Sequence, residues 1–112
     1  MKTIPVQEVP EMETVHRVSV RRLHDSDHAQ VMHIALQPGE GLRTHVTPVD
    51  VCFYALSGEG VVQIGQEVRS VAADTLVESP RGIPHRLWNE SAAEFRFLVL
   101  KTPRPGEPSR IR

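Results

Sequence analysis

The sequence predicts an all-β fold, and within that class a closed antiparallel barrel. Three observations carry this. Apolar and β-branched runs of roughly five to eight residues recur, with turn signals roughly every eight to twelve. Nine prolines and seven glycines punctuate a chain of 112 residues, a load that suits short strands and turns. No segment carries the stripe and caps of a helix of about three turns. Closure is the sharper prediction because it removes the edges that so many short strands would expose.

In chain order, residues 1–13 hold two prolines, three glutamates and little periodicity, and read as an extended arm laid on a neighbouring strand. Strand-forming runs follow at Thr14–Val20 and Ala29–Leu36. In the second of these, Met32, Ile34 and Leu36 share one face, while Val31, His33 and Ala35 share the other. The polar stretch Leu23–His28 between them reads as a solvated hairpin loop. Pro38-Gly39-Glu40-Gly41 breaks the chain, and Thr47-Pro48 turns it again after a short run to His45. Val51–Leu56 is apolar on both faces, so both must be covered. Tight turns at Ser57–Gly60 and Gly65–Glu67 bracket Val61–Ile64 and lead into Val68–Val71, then Thr75–Glu78. The last strong run is Glu94–Lys101, with Phe95, Phe97 and Val99 on one face. The tail 103–112, rich in proline and arginine, is expected not to continue a sheet. The organisation read from this is an arm over 1–13, a single barrel domain over 14–102, and a tail over 103–112.

Composition excludes several function classes. A formal net charge of −1 leaves no basic footprint for nucleic acid and no attraction to anionic membranes. No apolar run is long enough to span a bilayer, and the start MKTIPVQEVPEMET has no signal-peptide core, so a cytoplasmic protein is expected. The single Cys52 excludes an internal disulfide and a cysteine-built zinc cage.

The stretch Pro80–Asn89 organises the functional reading. Pro84 presets its own φ and holds Ile83 extended, and Gly82 supplies the freedom a tight turn needs. Such a turn delivers His85 at the first residue of a new strand, with little freedom. Here the sequence resembles the cupins. Their second motif, G-x5-P-x-G-x2-H-x3-N, is matched by Pro80, Gly82, His85 and Asn89, with Asp74 in place of the leading glycine. Their first motif, G-x5-H-x-H-x3-E-x6-G, is matched by Gly39, His45 and Gly58. Its second histidine slot holds Thr47, and its glutamate slot holds Val51.

The resemblance implies a double-sheet β-barrel of the jelly-roll type with a ligand cavity inside. In metal-binding cupins, two histidines and a glutamate of the first motif and the histidine of the second hold one divalent ion. Carried over to this chain, that leaves His45 and His85 as ligands of a divalent transition metal such as Zn, Ni, Mn or Fe. Two imidazoles alone hold such an ion weakly. Asp50 and His33 are the candidates for a third ligand, although strand alternation aims Asp50 away from the cavity. Glu78 is a candidate for the rim. Thr47, Val51, Phe53 and Trp88 are expected to line the substrate pocket, and Arg43, Arg81 and Arg86 to recognise an anionic substrate. Cys52 is expected to face outward.

Two functions stay open on this reading. One is a metal-dependent cupin acting on a small organic acid or sugar derivative. The other is a metal-free barrel that binds or senses a small molecule, in which His45 and His85 hydrogen-bond to each other, to Thr47 and to water. A homodimer is expected, because Cys52, Tyr54 and Leu56, with Leu98 and Leu100, leave a second apolar face needing a cover.

Overall fold

Alternation of apolar and polar side chains builds the strands, and the two sets of inner faces meet as one core. A computed structural model describes residues 1–106 and 109–111; Glu107, Pro108 and Arg112 of the tail lie outside the described residues. The strands are β1 (Ser19–Asp25), β2 (Gln30–Leu36), β3 (His45–Val46), β4 (Asp50–Ser57), β5 (Glu59–Ile64), β6 (Glu67–Ala72), β7 (Leu76–Ser79), β8 (His85–Trp88), β9 (Phe95–Thr102) and β10 (Arg110–Ile111). They form two five-stranded sheets, ordered β1-β2-β9-β4-β7 and β10-β3-β8-β5-β6. Every pairing is antiparallel. The fold is the predicted all-β, double-sheet barrel.

The core lies between the sheets. Val51, Phe53 and Ala55 of β4, with Phe95, Phe97 and Val99 of β9, point inward from the centre of the first sheet. Ile34 and Leu36 of β2 join them, and Val62 and Leu87 answer from the second sheet. Met32, Ile34 and Leu36 therefore form the inner face of β2, and Val31 and His33 lie on the outer one. Phe97 is fully buried, so truncating it to alanine should cost about 3–5 kcal/mol.

Two expectations fail at the chain ends. The run Thr14–Val20 becomes a strand only at Ser19. Before it, Arg17 N–H donates to Thr14 O and His16 N–H to Thr14 Oγ1, closing a turn with Arg17 at φ 56°. Threonine offers its own side chain as a backbone acceptor, and here that wins over its strand preference. The second correction concerns the tail. Arg110 and Ile111 return to pair with Val46 and His45, so the tail extends the second sheet after all. Proline removes donors only where it sits, and residues 110–111 contain none. The arm lies along β1, with Met12 N–H donating to Val20 O and Arg21 Nε to Val9 O.

Candidate functional site

Strand register brings the two motif histidines together. His45 on β3 is the direct cross-strand partner of His85 on β8, and both face the interior, 8% and 2% exposed. Pro80, Gly82 and Pro84 set up the β8 entrance as expected: Gly82 takes φ +78°, and its N–H donates to Thr47 O across the site. Asp74, standing in the slot of the motif glycine, also takes a left-handed φ of 62°, which aspartate tolerates better than most residues. Asn89 is structural: its amide donates to Leu36 O and Ala93 O, pinning the turn after β8.

The hydrogen bonds orient both imidazoles. His45 Nδ1 lies 2.8 Å from Arg43 O, which can only accept, so Nδ1 carries the proton and Nε2 a lone pair. His85 Nδ1 lies 2.7 Å from the buried Ser79 Oγ. The two Nε2 atoms face each other at 3.1 Å, with Thr47 Oγ1 3.3 Å from His85 Nε2. The Phe53 ring stands edge-on to His85, centroids 5.2 Å apart.

A third imidazole reaches the site from the Thr14–Arg17 turn. The His16 ring centroid is 5.0 Å from that of His45, and His16 Nδ1 accepts the Arg43 N–H. Burial, then His45, Arg43 and Lys101, lower His16 to a pKa of about 4. Burial, then His45, Lys101 and His16, lower His85 to about 3. His45 is lowered too, chiefly by burial. All three imidazoles are therefore neutral near pH 7.

These side chains border a cavity of about 570 Å³ between the sheets, lined also by Met12, Thr14 and Val15 before β1 and by tail residues Arg104–Gly106 and Ser109. Thr47, Val51 and Phe53 line it as expected. Trp88 does not. Counting from an inward His85, Leu87 points in and Trp88 out, where the indole donates to Glu90 and lies under the Arg86 guanidinium. Asp50 is exposed, and its carboxylate accepts the Arg81 N–H outside the cavity. His33 is buried on the outer face of the first sheet, where Nε2 accepts from Arg96 Nε. Neither can complete a ligand set with His45 and His85. Glu78 is exposed on β7 opposite Cys52, and Arg43, Arg81 and Arg86 lie off the cavity wall. Cys52 is half-buried and outward, its thiol pushed up by burial, Glu78 and Asp50.

Sequence reasoning missed His16, Ser79 and Lys101. Lys101 was within reach, because it keeps the parity of Phe95, Phe97 and Val99. The position of His16 depends on the arm turning back over the barrel, which no periodicity reports.

The donor set suits a divalent ion in part. Each Nδ1 is held by a protein oxygen, the usual way a ligating histidine is oriented with Nε2 free. A 3.1 Å separation lets both Nε2 atoms reach one ion at the usual distance of about 2.0–2.1 Å. Among the described residues, however, no group of three or more His, Cys, Asp or Glu side chains is arranged to hold a metal. His16 already accepts at Nδ1, so as a neutral ring it carries its proton on Nε2 and has no lone pair there for an ion.

Fold and site together define a two-sheet barrel with a histidine-lined cavity. The chain belongs to the cupin family: the family model described as the cupin domain matches residues 32–101. The structure resembles the TT1209 protein from Thermus thermophilus, with 30% identity, TM-score 0.80, and 94% of this chain and 100% of that one covered. It also resembles the polyketide cyclase RemF from Streptomyces resistomycificus, at 20% identity and TM-score 0.85, covering 99% of this chain and 84% of that one. A conserved double-stranded β-helix protein from Klebsiella pneumoniae matches at 18% identity and TM-score 0.84, over 99% and 96%. No curated protein sequence matches the chain. Solved chains that match number 417, so the architecture is common and selects no reaction. Among the described residues, no helix is long and apolar enough to cross a membrane.

Proposed function

We propose that the protein binds a small molecule in the barrel cavity beside one divalent transition metal, Zn, Ni, Mn or Fe, held by His45 and His85. The observation that carries this is the convergence of two Nε2 atoms at 3.1 Å, each ring anchored through its Nδ1. Thr47 Oγ1 is a neutral oxygen donor beside them. Bound there, the ion supplies a Lewis acid able to polarise an oxygen of a small organic acid or sugar derivative. Val51 and Phe53 supply apolar wall beside the imidazoles.

With no carboxylate ligand the affinity is modest, and protein purified without added metal should be partly loaded. Ligation needs unprotonated nitrogens. Burial holds His85 near 3, so proton competition sets in well below the ordinary imidazole value of 6.5. Titration with each ion at neutral pH, on protein made without a metal-binding tag, should give one site per chain. His45→Ala and His85→Ala should each abolish it, and His24→Ala and His28→Ala, both on exposed β-hairpin positions, should leave it intact. Failure of all four ions to bind the wild type would overturn the metal.

A metal-free binding or sensing barrel is the second reading, favoured by one specific observation. With Ser79 Oγ–H donating to His85 Nδ1, His85 Nε2–H donates to His45 Nε2, and His45 Nδ1–H to Arg43 O. That chain satisfies every imidazole nitrogen of the pair without an ion.

A further inference from the structure

The cavity wall carries cations and no carboxylate. Of the described residues lining it, the charged ones are Arg22, Lys101 and Arg104. Two are already engaged, because Arg104 Nε lies 2.6 Å and Arg22 Nη1 3.8 Å from the Asp25 carboxylate. Lys101 differs. It sits on the inner face of β9, in the middle of its sheet, level with Gln30 of β2 and Val51 of β4. Alternation would place another apolar residue there, as at Phe97 and Val99. Among the described residues no carboxylate pairs with the Lys101 ammonium, and no acceptor hydrogen-bonds to it. Burial lowers its pKa below the ordinary lysine range. Lys101 is half-buried, and a charge partly withdrawn from water with no counter-ion is a cost to the folded chain. A ligand that brings the missing negative charge removes that cost.

We propose that the cavity takes a small organic monoanion, an apolar body ending in a carboxylate, whose charge is met by the Lys101 ammonium. This rests on the small-molecule reading of the cavity and is independent of whether a metal sits beside it. Val20, Ile34, Leu42, Phe53 and Val99 supply an apolar wall for the body of the ligand. His16, neutral and protonated on Nε2, supplies a further donor on the same wall. The volume of about 570 Å³ suits a small-molecule site. A phosphate dianion calls for several convergent charged donors, whereas Lys101 is the one cation on the wall, among the described residues, that no carboxylate has claimed.

The test is calorimetric titration of the full chain with benzoate, its neutral isostere benzamide, and phenyl phosphate. Each is run on EDTA-treated and on metal-loaded protein. The wild type should prefer benzoate to benzamide by about tenfold or more, equivalent to about 1.4 kcal/mol, with or without metal. Lys101→Met should abolish that preference while keeping benzamide binding, and Lys101→Arg should restore it. Lys101→Met should also unfold at higher denaturant than the wild type, since it removes a charge without a counter-ion. Equal affinity for benzoate and benzamide, no binding of either, or a preference that survives Lys101→Met would overturn the proposal. A preference that requires metal and ignores Lys101→Met would overturn it while leaving the metal reading intact. Lys101-dependent preference in protein that takes up no ion would overturn the metal and uphold the anion site. Tighter binding of phenyl phosphate than of benzoate would overturn the carboxylate assignment.

Discussion

Ser79 shows how one hydroxyl can govern the site. It is 1% exposed, and its Oγ is 2.7 Å from His85 Nδ1. Ser79→Ala leaves that nitrogen buried without a partner, so chemical denaturation should register a loss of about 1–3 kcal/mol. If His85 is a ligand, the same change should weaken metal binding by about 10–100-fold, because an unheld ring must be ordered by the ion itself. Unchanged affinity in a folded variant would mean that His85 is oriented by something else. The buried imidazoles also set a pH dependence. In metal-stripped protein His16 and His85 are held near 4 and 3, whereas the unfolded chain titrates at 6.5. The unfolded state therefore takes up protons first as acid is added. Stability should be full above pH 6.5 and fall progressively towards pH 3, and metal should raise it without flattening that fall, because a bound ion keeps protons off the folded state. Denaturant midpoints across that range measure it, and a flat profile would contradict the burial of these rings.

At the scale of elements, the two turn glycines of the cupin motifs make a controlled comparison. Gly82 has φ +78°, and a Cβ there would meet nothing within 4 Å. Gly82→Val should therefore cost only backbone strain, about 1–3 kcal/mol. Gly58 has φ +76°, but a Cβ there would lie 2.2 Å from Glu94 O. Because a backbone carbonyl cannot swing aside, Gly58→Val should cost clearly more than Gly82→Val in the same denaturation assay. Equal losses would show that the chain between β4 and β5 shifts freely.

For the whole molecule, the open matter is the outer face of the first sheet. Register places Cys52 beside Leu100 and Tyr54 beside Leu98, with Val31 and His33 adjoining on β2. Cys52, Tyr54, Leu98 and Leu100 are half-buried, so an apolar band remains partly open to water. We expect a second copy of the chain to cover it, the simplest partner for a small domain with a second apolar sheet face. Sedimentation at micromolar concentration should then show a dimer, and Leu98→Glu should return it to the monomer without unfolding it. A wild-type monomer would remove the idea.

The fold class, the family frame and the turn that introduces β8 are all legible along the chain. These follow from local chemistry: alternation fixes strand faces, prolines and glycines fix turns, and the motif spacings place His45, His85, Gly58, Gly82 and Asn89. The sequence even carried the information that Trp88 points outward, since alternation from an inward His85 puts it there, and that Lys101 points inward. What meets in the cavity depends on how the strands and chain ends pack. His45 and His85 are forty residues apart, and their meeting is a matter of β3–β8 register. His33 was displaced because the core chose the Met32, Ile34, Leu36 face of β2, a choice made by the opposing sheet. His16 and Ser109 reach the site because arm and tail fold back on the barrel. Such contacts come from long-range packing, and no local propensity in the chain encodes them.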